Sequence, residues 1–473
     1  MGGQKISRTQ LTAMVVGGMV GAGIFSLPRT FASATGPFGA IIAWLIAGTG
    51  MYMLARVFQS LAERKPELDA GVFAYAKAGF GDYPGFLSAF GYWIGSCIGN
   101  VSYWVLIKST LGAFFPVFGE GNTVVAIVVA SIGIWAFHFL ILRGVQQAAA
   151  INKIVTIAKV IPILVFIVIL AFMFKADLFR FNFYGGGLSG SVFEQVRSTM
   201  LVTVFVFLGI EGASVYSRYA QKREDVGVAT ISGFFIVTTL MVLVTLLPYA
   251  VLERATVAGM RQPSMATALE AVVGPWGAVF VSIGLLVSVL GAYLAWSLIC
   301  AEVLSAAARN NDMPKLFAVE NANKVPANAL WATNIIVQLI VITTYWSRDA
   351  FSLMLNLTSA MSLIPFLMVA TYAFMVTRRG ETYDKIRPHD HARDLVITTI
   401  ATIYTAFLLY AGGLKFIVLS AVLYAPGTIL YVWARREQGV PVFARWIDWV
   451  IFGAAALGAV VGVYWIATGY IEI

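Results

Sequence analysis

Glu211 sits in the middle of VFVFLGIEGASVYS, an apolar run in which an ionised carboxylate costs roughly 2.5 to 3.5 kcal/mol on insertion scales unless it faces partners or water. It is therefore expected to face a bundle interior, either as a proton- or cation-responsive gate or as a protonated group bonded to a neighbouring helix. Lys159, in IVTIAKVIPILVF three residues before Pro162, poses the same problem with the opposite sign. Its ammonium either snorkels to the nearby membrane face or stands inside a bundle, where its charge must be answered. Tyr92, Gly95, Ser96, Gly99 and Asn100 recur at spacings of three and four, which puts small residues, hydroxyls and an amide on one helical stripe. Such a stripe can line a polar cavity, with Asn100 either bonding to another helix or contacting a solute. Trp296, in LGAYLAWSLICAEV, is deep in an apolar run rather than at its end. Its indole face suits an ammonium or guanidinium group, with ordinary packing as the alternative. Thr358 and Ser359 precede Pro365 in another such run. His138 has no carboxylate or cysteine at metal spacing and reads as a packing or hydrogen-bonding residue, and Cys97 and Cys300 both lie in apolar runs. No metal site and no disulfide framework is expected. There is no phosphate loop, dinucleotide motif or H-E-x-x-H, so ATP coupling, a bound cofactor and membrane proteolysis have no support.

These residues call for a membrane scaffold. The chain has 473 residues, 59% of them hydrophobic and 12% charged, with a mean hydropathy of +0.83; soluble proteins carry roughly 25% charged residues. A soluble enzyme is excluded. Windows of about 20 apolar residues place spans at 10–34, 38–61, 84–115, 122–142 and 153–174. A second group follows at 195–219, 226–252, 276–308, 331–345 and 351–376, and a third at 395–411, 416–433 and 446–470, for about thirteen in all. The organisation expected is a ten-helix core over 1–376, with repeats at 10–174 and 195–376, and a cytoplasmic loop with accessory helices over 377–473.

Lys and Arg exceed Asp and Glu by nine, and their distribution points to topology rather than to nucleic acid. With the N-terminus inside, alternate loops carry Lys5 and Arg8; Arg64, Lys65 and Lys77; Arg143; Arg218, Lys222 and Arg223; Arg309, Lys315 and Lys324. The same side takes Arg378 to Arg393, read as a solvated loop, and Arg435, Arg436 and Arg445. The N-terminus is expected to be cytoplasmic, and a cleaved secretory signal is not expected. Gly17, Gly18, Gly21 and Gly23 interrupt the first span, and Gly209 and Gly212 flank Glu211 in the sixth. Two five-span groups in tandem have opposite orientations because five is odd, so these matched interruptions suit an inverted repeat whose broken helices meet at the midplane. Close packing of glycine-rich spans is the simpler reading of either one alone.

GMVGAGIFSLP in the first span, GYWIGSCIGN in the third and FLGIEGASVYSRYAQKRED in the sixth resemble the amino acid, polyamine and organocation transporter superfamily over nearly the whole chain. Within it the chain resembles the basic amino acid/polyamine antiporters, and ELDAGVFAYAKAGFGDYPGFLSAFGYWIG looks most like arginine/ornithine antiporters. The resemblance implies an all-α polytopic membrane protein of the LeuT type, a five-plus-five inverted repeat with about three further C-terminal helices. It implies that the backbone at Gly21, Ala22 and Gly23 holds a substrate's carboxylate and amine. Trp296, Asn100, Ser96 and Thr358 would surround a cationic side chain, and Glu211 with Tyr92 would form a cytoplasmic gate. Three positions depart from the arginine/agmatine pattern: Phe205 replaces a gating Trp, Ala22 a Ser and Phe366 a gate Tyr. Lys159 resembles the Lys of sodium-independent members at the vacated sodium site. The function implied is exchange of a basic amino acid, such as arginine for ornithine, by alternating access in a bacterial inner membrane. A proton-coupled symporter, an amino acid sensor and a membrane enzyme using Glu211 are the rivals. The partners implied are basic amino acids or related amines and the lipid bilayer, with homodimerisation open.

Overall fold

The structure, a computed structural model, describes residues 7–68, 72–144, 148–210, 223–347, 349–384 and 386–471, and these contain no β-strand. Helices occur in every range expected as a span. The first is broken, as its glycines require: α1 (Arg8–Met19) stops, Gly21 is extended at φ −103° and ψ −158°, and a 3-10 turn (Ala22–Ser26) leads into α2 (Leu27–Ala34). The two halves meet at 47°. After α3 (Pro37–Arg64), the short α4 (Val72–Phe80) precedes α5 (Asp82–Phe114) and α6 (Val124–Leu142). Then come α7 (Ala148–Phe172), which carries Pro162, and α8 (Ala176–Asn182), turned 104° from it. The sixth span begins as α9 (Val192–Phe207), opened by a capping box in which Ser191 and Glu194 satisfy each other's backbone N–H. The next elements are α10 (Arg223–Leu246), the short α11 (Arg254–Ala258) and α12 (Ser264–Val273), α13 (Pro275–Arg309), α14 (Ala327–Thr343) and α15 (Ala350–Arg378). Helical turns run on through α16 (His391–Glu437), but Gly413 at φ 74° and ψ 170° breaks them in two, where the sequence places two spans. The last helix is α17 (Trp446–Ala467).

Among the described residues, seven helices are long and apolar enough to cross a membrane, or up to nine when each bent pair is one span. Three expected spans fall outside that test: α5, whose length carries the polar stripe, and α9 and α14, which are short. The short α4, α8, α11 and α12 are absent from the sequence reading, because a window of about 20 residues averages over elements of their size.

Two compact units divide the chain. One comprises Met1–Ala55, Tyr103–Ala126 and Gln146–Tyr293; the other comprises Arg56–Ser102, Ile127–Val145 and Leu294–Ile473. In the first, α1 packs on α10, and α2 on α9, α11 and α12. Phe31, Trp44, Phe207 and Phe234 form a continuous ring stack with centroids 5.4, 6.0 and 5.3 Å apart. The last carbonyls of α2 have no helical partner, and here Arg254 Nη1 donates to Ala32 O (2.8 Å) and Tyr249 Oη to Thr35 O (2.9 Å).

In the second unit α15 packs on α4 and α16, and α16 on α17. Gly427 lies so near the Phe90 ring that a Cβ would stand 2.2 Å from it, the small-residue route to close helix contact. The run from Arg378 to Arg393 keeps Arg378, Arg379, Arg387, His389 and Arg393 exposed, as a solvated loop does, and it is also tied to α3. Arg64, almost fully buried, donates to Asp394 (3.2 Å) and lies over the Tyr383 ring, whose hydroxyl also donates to Asp394 (2.9 Å). Lys65 pairs with Glu381 (3.0 Å) and Arg387 with Glu63 (3.2 Å). Complementary charges thus strap the segment to the end of α3. A separate cluster joins Lys77 of α4 to Asp312 (2.7 Å) and Asp82 (3.7 Å), with Arg435 on Asp82 (3.1 Å). Burial pushes the Asp312 carboxyl up to about 6, against the pull of Lys77.

Candidate functional site

In the first unit the chemistry gathers at the break of the first span. The final carbonyls of a helix carry partial negative charge and no intrahelical partner. At the end of α1 two of them, Gly17 O and Val20 O, accept hydrogen bonds from Lys159 Nζ, the latter at 2.9 Å. Lys159 is 2% exposed. Of its two readings, the snorkelling one is therefore the one the geometry rejects: the ammonium points into the bundle, onto the broken helix. Beyond the break the first N–H groups of Ala22–Ser26 lack helical acceptors, and Gly21 supplies no side chain to cap them. Ser26 Oγ donates to Gly23 O (2.7 Å). Gly23 abuts α9, where a Cβ would stand 2.6 Å from Val206 and 2.9 Å from the Phe205 ring. Phe205 and Ala22 are both buried. The sixth span opens at the same place: α9 ends at Phe207, Gly209 takes φ +103°, and a Cβ on it would lie 2.9 Å from Gly18 O. The two broken spans therefore touch at their breaks. Glu211, just beyond, lies outside the described residues.

In the second unit Asn100 is fully buried yet poorly satisfied. Its Nδ2 makes long contacts to Ser297 Oγ (3.5 Å) and Cys300 Sγ (3.7 Å), and its Oδ1 has no partner among the described residues. Thr358 Oγ1 is likewise buried without one. Thr358 lies against Gly99, where a Cβ would be 3.4 Å from its methyl, so α5 and α15 meet along the stripe. Ser96 Oγ donates to Tyr92 O (2.7 Å) on its own helix. Trp296 is half-buried and no ring among the described residues stacks on it. Tyr92 is buried, and Phe366 packs edge-on against Phe58 at 5.8 Å. His138 bonds to Asn334 Nδ2 (3.0 Å) and lies 4.2 Å from the Trp331 ring, a packing role.

Two residues escaped the sequence reading. Lys108, in NVSYWVLIKST, is 1% exposed, and the rule that singles out Lys159 applies to it equally. Tyr103, three residues after Asn100, extends the stripe by a turn, and its hydroxyl would lie 3.5 Å from a Cβ on Gly21.

The profile of the Amino acid permease family matches residues 6–435. The chain belongs to that family. This permease is 51% identical to an arginine/ornithine antiporter of Pseudomonas aeruginosa, with 99% of each chain covered. It is 38% identical to an arginine/agmatine antiporter of Chlamydia abortus, over 92% of this chain and 91% of the relative. Among solved structures it is similar to a Na+-coupled sialic acid symporter in a substrate-bound outward-open state, with a TM-score of 0.53 at 14% identity over 88% of this permease and 91% of that chain. The fold is thus the all-α LeuT type of membrane transporter. The family's members are transporters rather than enzymes.

Proposed function

We propose that this permease exchanges basic amino acids across a bacterial inner membrane by alternating access, arginine for ornithine foremost, with its N-terminus in the cytoplasm. The observation that carries this reading is the match along 99% of both chains to the P. aeruginosa arginine/ornithine antiporter. On this reading the core spans 1–376 as inverted repeats 10–174 and 195–376, and 377–473 is accessory. Backbone at Gly21, Ala22 and Gly23 takes the substrate's carboxylate and amine. Asn100, whose buried acceptor has no partner among the described residues, and Trp296, whose indole has no stacked ring among them, read a cationic side chain beside Ser96 and Thr358. Phe205 joins the substrate-binding residues, and Tyr92, Glu211 and Phe366 gate the site. Lys159, donating to the carbonyls at the break, supplies as a fixed charge what a sodium ion supplies elsewhere.

Counterflow tests the reading. Labelled arginine should enter liposomes loaded with ornithine or arginine, with no sodium requirement, and should not enter empty ones. Net uptake into empty liposomes driven by a pH gradient would replace exchange with proton symport.

A further inference from the structure

Cys97 and Cys300 are the chain's two cysteines, far apart in sequence, and the fold brings them together. Cys97 of α5 lies one turn before Asn100, and Cys300 of α13 one turn after Ser297. Asn100 Nδ2 reaches both Ser297 Oγ (3.5 Å) and Cys300 Sγ (3.7 Å), and the two thiols are hydrogen-bonded to each other. Both are fully buried and neither is in a disulfide. We propose that this pair is a binding site for a soft, two-coordinate divalent metal cation, the mercuric ion, held between the two sulfurs beside Asn100.

The surroundings fit that ion and not a harder one. Among the described residues no three histidines, cysteines, aspartates or glutamates come together as a metal site, so the pair offers two sulfurs and does not complete the four ligands that zinc takes. Thiolates select soft cations. Charge points to a divalent one. Each thiol gives its proton to water as a sulfur–metal bond replaces its S–H bond, so two protons leave, one ion enters and the buried site stays neutral. A monovalent ion between two thiolates would leave a negative charge, which is costly away from water. Donors to the sulfurs are already in place: Trp93 Nε1 donates to Thr333 Oγ1 (3.0 Å), which leaves the Thr333 hydroxyl proton for Cys97, and Asn100 Nδ2 points at Cys300. Hydrogen bonds of this kind hold metal-bound groups in position. Entry rests on the exchanger reading, under which a cavity lined by Asn100 opens to each side in turn; Asn100 Oδ1, without a partner among the described residues, marks where a solute reaches the pair. An ion there would hold the Asn100 amide on a metal-bound sulfur and so take it from the substrate.

Purified full-length protein, reduced, loaded with mercuric chloride and washed with about 0.1 mM glutathione, tests this by intact mass, because a second thiol held in place acts at an effective concentration of about millimolar or more. The parent should retain one mercuric ion per chain, with two protons lost and no glutathione attached, and mercury X-ray absorption should show two sulfur neighbours. Cys97→Ser and Cys300→Ser should each retain at least about tenfold less ion free of glutathione. Zinc chloride in place of mercuric chloride should leave no ion behind. Binding of labelled arginine should fall in the loaded parent and return when a dithiol removes the ion. No retained ion, two ions per chain, glutathione adducts on the parent, retained zinc or undiminished arginine binding by the loaded parent would each overturn the proposal. The parent's mass and spectrum decide it even should neither serine variant purify. Failure to counterflow arginine against ornithine, with the ion retained as expected, would strike the exchanger reading and not this site.

Discussion

Trp296 and Lys159 make opposite demands on a mutation. The indole of Trp296 has no ring partner to lose among the described residues, so Trp296→Leu should leave the fold standing. Its cost should fall on cations: a ring face contributes about 1 to 2 kcal/mol to a desolvated cation, so arginine should weaken roughly tenfold more than neutral citrulline in a binding assay. Equal losses would return Trp296 to packing. Lys159→Ala strips two buried carbonyls, Gly17 O and Val20 O, of their donor. Unpaired buried acceptors cost about 1 to 3 kcal/mol each, so the variant should melt lower in detergent and exchange slowly; exchange at the parent rate would show the tether to be idle. Both residues were legible in the sequence because a polar or cationic group in an apolar run has few explanations. What the sequence withheld was direction. Lys159 sits close enough to a span end to snorkel, and only the positions of the α1 carbonyls show that it reaches inward. Tyr103 was hidden for a different reason, since a tyrosine in a span is an ordinary residue until its hydroxyl is placed beside a break.

The broken spans owe their meeting point to backbone that side chains cannot share. Gly209 at φ +103° lies against Gly18 O, so Gly209→Ala combines a strained backbone worth about 1 to 3 kcal/mol with a clash on a main-chain oxygen. It should lower the melting temperature and impair exchange. Gly18→Ala is the control, being helical with open space where its Cβ would stand, and helix propensity favours it by about 1 kcal/mol. Should the two variants melt alike, the contact between breaks does not hold the element. The short α4 offers a second test through its partner. Asp312 titrates in the folded protein at about 6 rather than 3.8, so between those values the folded state holds a proton that the unfolded state has lost. That contribution to stability is complete below the lower value and disappears as pH rises through the upper one. Asp312→Asn, neutral throughout, lacks the term. Melting of the parent should therefore decline relative to Asp312→Asn from about pH 4 to about pH 6.5, and parallel curves would contradict the buried carboxyl. The glycines announced the breaks beforehand, but α4 and its buried carboxyl partner were not visible, because hydropathy finds long elements and misses short ones.

Across the whole chain the order of the long helices follows from hydropathy alone, down to the break at Gly413 that the two C-terminal windows imply. The division into two units does not: each is assembled from three separate stretches, and no local pattern announces which stretches belong together. Charge counts are silent in the same way. Arg378 to Arg393 keeps its cations exposed as its composition suggests, but not even a full count of them tells that Glu63, Arg64 and Lys65 pair with this stretch and with Asp394. Because Arg64 and Asp394 are both buried, removing either alone should cost about 3 to 5 kcal/mol, while the double alanine variant should cost well below the sum of the two; additive losses in unfolding would mean the pair is not coupled. The tethered ammonium of Lys159 has one more consequence, an electrical one. Being part of the chain, it does not cross the membrane, and on the proposed exchange reading no co-ion is needed in its place. Arginine and ornithine each carry one net positive charge, so a one-for-one swap displaces no charge in total. A net transfer of one charge would gain or lose roughly 2.3 kcal/mol per 100 mV; the proposed one-for-one exchange transfers none in total, so membrane voltage does not drive it. Its direction is left entirely to the ratio of the two amino acids on either side.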